Sequence, residues 1–345
     1  MRKMNNIEYT QVVRELKPLA GKHFENVYSV GENKLRIKIG GVDVICEPGV
    51  RMHVTKYLEE GGELTNFTKV LRKEFENARL RDIYQHNNDR VIVFDFGERK
   101  IVFEMFADGN IILTEGEKIL MPLHNEEWSD RKIARNEDYI FPKSNIKTTV
   151  EDALDVAKEK YVIVALMQLP LGKEYAQDIL ARCNVEEKKA AKELTVTEIG
   201  DMTSAFEKLK KLDGAYAVYE QEKIVDFCIL PFLKYEKLQA KGFKTLSEAV
   251  DEFYQENRQE KNEKIEKLKR RLGQQEKRLL QLREEEGEKG RIGNFIYENY
   301  EKIDKLLVLA KATKPKELGK KLEEIGVKAK VEKKEIEIEL KEPRV

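Results

Sequence analysis

The sequence is poor in the residues that build disulfide frameworks and metal sites. Its 345 residues include three widely spaced cysteines, Cys46, Cys183 and Cys228. This usage argues against a disulfide framework and is typical of a reducing cytosol. The four histidines have no metal-ligand spacing to one another or to a cysteine; they are His23, His53, His86 and His124. We therefore expect no metal site.

Long apolar runs are also absent. None approaches the ~20 residues that a membrane helix needs, and the opening MRKMNNIEYT lacks the apolar core of a signal peptide. Both absences favour a cytoplasmic protein without membrane association. The formal net charge is zero, although 37% of residues are charged, mostly lysine and glutamate, as on a thermophile's surface. A neutral total does not exclude nucleic acid, because local basic patches decide phosphate contacts.

No catalytic constellation is present. The sequence has no GxSxG, no phosphate loop ending in Gly-Lys-Ser/Thr, no CxxC and no Cys/His pair at an informative spacing. Cys183 is better interpreted as a small core residue than as a nucleophile. We expect neither an enzyme nor a cofactor.

Apolar periodicity predicts helices, short strands and a long helical arm. Residues 6–20 form a helical pattern ended by Gly21, and Gly40-Gly41 predicts a two-residue hairpin turn. A helix capped by Thr65 or Asn66 precedes alternating strands over 91–114, which predicts a β-meander with a helix packed on it. Residues 215–230 form a second strand-like patch, which we expect to rejoin the first sheet.

The arm carries an apolar seam at 3-4 heptad spacing. The seam residues are Ile265, Leu268, Leu272, Gln275, Leu279 and Leu282. If helical throughout, residues 254–312 would span roughly 85 Å. The seam needs a partner helix, and nothing after Pro315 is long enough to serve. We therefore expect a chain cut from a larger protein, whose seam pairs with a second copy.

Two sets of residues could carry binding chemistry. Asp89-Arg90 opens a strand, where both side chains stay exposed only at a sheet end or rim, and an acid beside a guanidinium can orient an amine or a phosphate. The alternative is a polar turn, Asn87-Asn88-Asp89, with an ordinary surface arginine, and spacing alone favours it. The second set is a basic patch: Arg51, His53, Lys56, Lys69, Arg72, Lys73 and Arg79.

Aromatic residues interleaved with that patch could stack on bases, but their helical spacing is more typical of core, and a solvated helix face is the favoured alternative. The run KLKRRLGQQEKRLLQLR, residues 267–283, could contact a phosphate backbone or could be an ordinary charged coiled-coil flank, and these alternatives are evenly balanced. The residues alone favour a nucleic-acid or ribosome-binding protein with a projecting arm.

Several runs resemble the NFACT family, which includes the RqcH and NEMF proteins and is also catalogued as fibronectin-binding protein A. The central run holds Leu71-Arg72-Lys73, Ile83, Gln85, Asp89-Arg90-Val91-Ile92, Glu104 and GNIILT at 109–114. VVRELKPLAGKHFENVYSV, PGVRMHVT and the IYENY of the arm support the resemblance, and LGKEYAQDILARCNV is similar to the family's helix-hairpin-helix module. These runs cover the chain in the family's order.

The resemblance implies a role in ribosome quality control. Such proteins bind the large ribosomal subunit after a stalled ribosome splits, engage its peptidyl-tRNA and recruit aminoacyl-tRNA, which is alanyl-tRNA in bacteria and by extension in archaea. The nascent chain then gains a C-terminal tail, and peptide-bond formation belongs to the ribosome. The family's Asp-Arg motif supports tRNA engagement and falls on Asp89-Arg90. Glu8 stands where many members have aspartate, so its charge is kept but its reach differs.

The expected contacts follow from the patches and the resemblance together. Expected tRNA-binding residues are Asp89, Arg90, Glu8, Arg51, His53, Arg72 and Lys73. Expected contacts with ribosomal RNA are Lys267, Lys269, Arg270 and Arg271. Expected partners are the large subunit, tRNA and a second copy of the chain through the coiled coil.

The implied fold class is α+β. The implied domains are an antiparallel NFACT-N domain at 1–165, the helix-hairpin-helix module at 166–212, a segment returning to the NFACT-N sheet at 213–253, a coiled-coil arm at 254–312, and the start of a truncated middle α/β tip at 313–345. By this resemblance we expect a fragment without the later NFACT-R domain. The first domain is similar to the N-terminal domain of formamidopyrimidine-DNA glycosylases. Those enzymes need an N-terminal proline and usually a zinc finger, which this sequence lacks, so glycosylase activity is not expected.

Two rival functions remain. A fibronectin-binding surface adhesin needs export, and the missing signal peptide disfavours it. A general RNA- or DNA-binding protein outside translation would share the basic patches, and only its partners would differ.

Overall fold

The computed structural model describes residues 2–338 apart from 32, 60, 326, 333 and 334. The chain divides into two compact units, one up to Lys261 and one from Asn262 onward. The helices are α1 Asn6–Leu16, α2 Asn66–Glu74, α3 Val150–Val156, α4 Val162–Leu166, α5 Lys173–Arg182, α6 Val196–Lys211, α7 Leu246–Glu298, α8 Tyr300–Ala312 and α9 Pro315–Glu324.

Short strands make up the rest of the regular structure. They are β1 Phe24–Ser29, β2 Leu35–Ile39, β3 Val42–Glu47, β4 Arg51–Val54, β5 Asp82–Gln85, β6 Val91–Asp95, β7 Arg99–Glu104, β8 Asn110–Glu115, β9 Lys118–Pro122, β10 Glu126–Glu127, β11 Lys132–Ile133, β12 Tyr216–Glu220, β13 Lys223–Cys228, β14 Gln239–Gly242, β15 Ala329–Glu332 and β16 Glu335–Ile338. All of the paired strands are antiparallel. The predicted α+β class is confirmed.

The first sheet has the order β1-β2-β3-β4. Its predicted hairpin is present, because Ile39 pairs with Val42 across Gly40 and Gly41, which have φ of +55° and +82°. A two-residue turn with positive φ at both positions matches the twist of the flanking strands. Glycine takes these angles without the steric cost that other residues meet.

The second sheet is a five-stranded meander, β5 to β9, and both of its faces are buried. Alternate side chains of β6 serve the two sides: Ile92 and Phe94 enter the main core, while Val91 and Val93 enter a smaller cluster with Ile133. The main core also receives α1 and α2. Residues 91 to 94 of β6 are therefore all apolar, because packed elements cover both faces of the sheet.

Helix α1 packs against both sheets. It ends at Leu16, directly before a 3₁₀ turn at Lys17–Leu19 that contains Pro18. The helix is therefore shorter than the pattern over residues 6–20 predicted, because proline lacks the N–H that a continuing helix needs. At its start Asn5 and Glu8 form a capping box, in which each side chain bonds the backbone of the other residue.

Residues 166–253 share the main core of the first unit, and their predicted division into modules stays a prediction. The strands of 213–253 pair with one another in a separate sheet of order β13-β12-β14. The expectation that they rejoin the first sheet is therefore wrong. Their apolar side chains, among them Ala217 and Phe227, pack on the main core without sharing a ladder.

The arm begins earlier than residue 254. Helix α7 starts at Leu246, and Leu246, Val250 and Tyr254 are buried in the main core. In the second unit Leu268, Leu272 and Leu279 are 61%, 57% and 52% exposed, so the predicted seam faces solvent. Coiled-coil pairing stays a prediction. A separate small core joins Leu306 of α8 to Leu318 and Leu322 of α9. No helix of the described residues is long and apolar enough to cross a membrane.

The turns around Gly49 and Gly109 interlock. Both glycines have φ near +70°, and a Cβ built on Gly109 would lie 2.2 Å from the Gly49 nitrogen. We expect Gly109→Ala to lower the free energy of unfolding by about 2–4 kcal/mol, because left-handed strain of ~1–2 kcal/mol adds to backbone overlap. Urea unfolding measures the change.

The matched control for Gly109→Ala is Gly116→Ala. Gly116 lies in another turn of the same sheet at φ +57°, with nothing within 4 Å of an added Cβ. Only the conformational cost applies there, about 1–2 kcal/mol. Equal losses for the two variants would contradict the interlocking of the turns.

Candidate nucleic-acid interface

Asp89 and Arg90 lie where β6 begins, after a 3₁₀ turn at His86–Asn88. Asn87 and Asn88 take left-handed backbone angles, φ +49° and +52°, which asparagine tolerates better than most residues. The Asp89 carboxylate accepts the backbone N–H of Arg90 at 2.7 Å. Both side chains are partly exposed. The sequence predicted this placement at a strand end, and the polar turn is real as well.

This turn is fastened to the start of α1 by side-chain hydrogen bonds. Gln85 Nε2 donates to the carbonyl oxygens of Asp89, at 2.8 Å, and Asn6, at 3.2 Å. Thr10 Oγ1 donates to Gln85 Oε1 at 2.6 Å, and Asn6 Nδ2 donates to the Asn88 carbonyl at 3.2 Å. The Asp89-Arg90 pair is therefore held in place by helix α1 as well as by its own strand.

The Arg90 guanidinium has no hydrogen bond or ion pair with any residue that the structure describes, although its backbone is fixed. Its charge acts on Tyr9: burial raises the pKa of that phenol well above its usual value, and Arg90 opposes the rise. The buried Tyr9 hydroxyl has no hydrogen-bond partner among the described residues. An unpaired guanidinium on a fixed backbone is suited to bidentate contact with a phosphate.

Glu8 is buried completely and is the centre of a charged cluster. Its carboxylate accepts hydrogen bonds from the Asn5 backbone N–H at 2.7 Å, the Tyr175 hydroxyl at 2.9 Å and the Arg2 guanidinium. Arg2 also pairs with Asp226 at 2.9 Å and lies over the ring of Phe227. Burial raises the pKa of Glu8 to about 7, and Arg2 opposes that rise.

Direct contact between Glu8 and tRNA does not fit this environment, because no part of the side chain reaches solvent. The cluster joins α1, α5 and β13, so Glu8 acts here as a positioning residue for the helix that carries Asn6 and Thr10. Sequence reasoning missed Arg2, Tyr175 and Asp226 as its partners. The Asn5-to-Glu8 spacing, a capping-box signature, is the local signal that could have placed the Glu8 carboxylate at the Asn5 backbone.

Arg51 and His53, two further expected tRNA contacts, are core residues. Arg51 is 6% exposed, pairs with Glu47 at 3.0 Å and lies over the Tyr254 ring at 4.0 Å. His53 is fully buried, and burial with the neighbouring Arg51 charge lowers its pKa to about 3, so its ring is neutral. Partners distant in sequence enclose both side chains, and this burial does not favour direct contact with RNA. Their assignment as tRNA contacts stays a prediction.

The other basic candidates differ in whether their side chains are already bonded within the chain. Arg72 donates twice to the Val27 carbonyl, at 2.9 and 2.8 Å, which fixes α2 to β1. Lys73, on the same helix, is exposed. The four arm residues, Lys267, Lys269, Arg270 and Arg271, are exposed in the second unit, with Lys269 paired to Glu266 at 3.1 Å.

The described residues contain no group of three or more His, Cys, Asp or Glu side chains placed to hold a metal.

We expect Arg2→Ala to lower the free energy of unfolding by about 3–5 kcal/mol at pH 8, since it leaves the carboxylates of Glu8 and Asp226 buried without their cation. At pH 5 the loss of stability is smaller, because the raised pKa of Glu8 leaves its carboxyl neutral there and no unpaired Glu8 charge is buried. The neutral form of Glu8 stabilises the folded chain at low pH, and this contribution is lost as the pH rises through about 7. Urea unfolding at both pH values checks this.

Two variants complete that test. Glu8→Gln in the Arg2→Ala background should restore part of the stability at pH 8, because a neutral amide replaces the unpaired charge. Lys17→Ala breaks an exposed pair with Asp82 and should cost less than about 1 kcal/mol at either pH. A loss for Arg2→Ala that is the same at pH 5 and pH 8 would contradict the role given to Glu8.

The sequence matches a known protein family and several of its members. The model of the NFACT N-terminal and middle domains matches residues 6–343. The archaeal Rqc2 homolog aRqcH of Methanocaldococcus jannaschii is 29% identical over 348 residues, which cover 88% of this chain and 51% of that protein. Ribosome quality control complex subunit 2 of Schizosaccharomyces pombe is 30% identical over 157 residues, 41% of this chain and 15% of that one.

A solved structure shows the same fold. The N-terminal part of the fibronectin/fibrinogen-binding protein from Streptococcus suis superposes with a TM-score of 0.57 at 20% identity, covering 73% of this chain and 99% of that one. The present chain spans about half the length of its archaeal relative. Since the family model covers nearly the whole sequence, the chain belongs to the NFACT family, of which it carries the N-terminal and middle domains.

Proposed function

We propose that this chain is the tRNA-engaging half of a cytoplasmic ribosome quality control factor. Relatives named as ribosome quality control complex subunits support it at the level of the family. The single observation that carries the tRNA part is the Arg90 guanidinium, partly exposed, on a fixed backbone and without a partner in the described structure. RNA presents phosphates that such a group can bind.

In this proposal the chain binds the split large subunit with its peptidyl-tRNA and recruits aminoacyl-tRNA, with alanyl-tRNA as the expected species. Recruitment then allows C-terminal tailing, with bond formation left to the ribosome, so that the chain itself is not an enzyme. Exposed Lys73 is proposed as a further RNA contact. Its neighbour Glu74 accepts from Arg99 at the start of β7, which is the end of the sheet opposite Arg90. The exposed arm residues Lys267 to Arg271 are proposed to meet ribosomal RNA, because lysine and arginine neutralise phosphates regardless of sequence.

The adhesin alternative has little to support it. The Streptococcus suis protein is named for fibronectin and fibrinogen, but a likeness at 20% identity shows the fold alone. The remaining alternative is RNA or DNA binding outside translation. Co-purification separates it from the proposal: recovery of large-subunit ribosomal RNA together with tRNA supports the ribosomal role, and recovery of neither rejects it.

The Asp89-Arg90 assignment predicts a selective defect. Asp89→Ala with Arg90→Ala should reduce tRNA recovery about ten- to hundredfold, because a lost charge-assisted bond is worth ~1.5–3 kcal/mol, while large-subunit binding persists. Quantifying both RNAs after pull-down tests this. The matched control is Asp130→Ala with Arg135→Ala, an exposed acid and arginine elsewhere in the same unit. If the Asp89/Arg90 variant recruits tRNA as the unchanged chain does, the assignment is wrong.

Self-association through the arm is a second expectation. The exposed leucines of the seam should bring two copies together as concentration rises, because apolar area removed from water contributes ~25 cal/mol per Å². Multi-angle light scattering over a concentration series measures the mass. Leu272→Glu with Leu279→Glu should keep the chain monomeric. A strict monomer at high concentration for the unchanged chain contradicts the expectation.

A further inference from the structure

The turn before β6 carries a ring that is stacked on a distant part of the chain. The imidazole of His86 lies on the ring of Phe141, with the ring centroids 3.8 Å apart and the two planes inclined by 12°. At this separation the rings touch over most of their faces. Both side chains are partly exposed. The stack therefore joins the surface turn to the segment that follows β11.

Phe141 belongs to a well-anchored part of the first unit. It packs on the smaller cluster that covers one face of the meander, and this face is opposite the one that receives α1. The ring of Tyr139 meets that of Phe141 edge-on at 5.0 Å, and the Tyr139 hydroxyl donates to the Glu104 carboxylate at 2.9 Å. The Tyr139 backbone N–H also donates to the Glu117 carbonyl at 2.7 Å. His86 is thus stacked on a ring whose own position is fixed.

The turn needs such support because its backbone is strained. Asn87 and Asn88 are consecutive, and both have left-handed angles, with φ of +49° and +52°. Residues in this region cost free energy and persist only where surrounding contacts hold them. The His86 carbonyl accepts the Asp89 backbone N–H at 2.9 Å. A displacement of His86 would therefore also displace the residue that precedes Arg90.

The imidazole contributes shape to the turn and no charge. Burial lowers the pKa of His86, and the Asp89 charge opposes this change, so the ring is neutral at pH 7. The Asn87 side-chain amide lies 3.1 Å from the Nε2 atom of His86, where it can donate to the unprotonated nitrogen. Any effect of His86 on an anionic ligand at neutral pH must therefore come from the position that it gives to its neighbours.

We propose that the His86–Phe141 stack is a positioning contact for Arg90. It fixes the turn from the face opposite α1, so that Arg90 meets an RNA phosphate from a fixed backbone. The hydrogen bonds of Gln85 and Asn6 fix the same turn from the side of α1. A guanidinium on a backbone with two supports loses less conformational entropy when it binds. This inference rests on the proposed function for its ligand, and its structural part is tested without RNA.

The test without RNA measures the mobility of the turn. In the full chain, His86→Ala should lower the backbone order parameters of Asp89 and Arg90 from about 0.85 to below about 0.6, as followed by ¹⁵N relaxation. His86→Phe keeps a ring on Phe141 and should leave them unchanged. The control is His23→Ala, since His23 is an exposed histidine of the same unit. Order parameters that stay high in His86→Ala would overturn the proposal, whatever that variant does to RNA binding.

Recovery of tRNA in pull-downs tests the link to Arg90. His86→Ala should weaken recovery about three- to tenfold, the equivalent of ~0.6–1.4 kcal/mol for a lost ring pair. His86→Phe should restore it, and large-subunit recovery should persist in both. In an Arg90→Ala background, His86→Ala should bring no further loss, because two residues that act through one contact are not additive. A further loss of the same size there would show that His86 contacts RNA directly, which contradicts a positioning role.

The two measurements separate this inference from the proposed function. If Arg90→Ala leaves tRNA recovery intact, the tRNA assignment fails, while the order parameters still decide whether the stack holds Arg90 in place. If Arg90→Ala loses tRNA but His86→Ala does not, the function stands and the positioning role is rejected.

Discussion

The buried carboxylate of Glu8 is the interaction on which the arrangement of the first unit depends. It gathers three donors from separate parts of the chain, Arg2, Asn5 and Tyr175. The Tyr175 hydroxyl in turn accepts the Ile229 backbone N–H at 2.9 Å, so the same cluster reaches the segment after β13. A charge without exposure requires such partners, since desolvation would otherwise neutralise it or unfold the site.

Helix α1 links this buried cluster to the turn that carries the proposed RNA contacts. Its buried side holds the charged cluster, and its outer side carries the hydrogen bonds from Asn6 and Thr10 to the turn before Asp89. Recognition elements placed on rigid supports lose little conformational entropy on binding, which favours affinity.

Features that depend on a few neighbouring residues were predictable from the sequence. The burial of a side chain by residues distant in sequence was not. The Gly40-Gly41 hairpin and the exposed strand-end position of Asp89-Arg90 follow from steric and hydrogen-bonding rules acting over a few residues. The burial of Arg51 and His53 was not predictable, because Tyr254, some 200 residues later in sequence, covers them. The burial of Glu8 likewise depends on the distant Tyr175. The separate β12–β14 sheet shows that shared packing does not imply shared strand pairing.

The five-stranded sheet, buried on both faces, has a consequence for how such a protein can diverge. Neither set of alternating side chains on β6 faces water, so substitutions along the strands meet packed neighbours on whichever side they fall. The turn at His86–Asn88 is free of this packing constraint, since its side chains are not buried. Substitutions that change what the protein binds can therefore accumulate at the strand ends, where they leave the packed sheet intact.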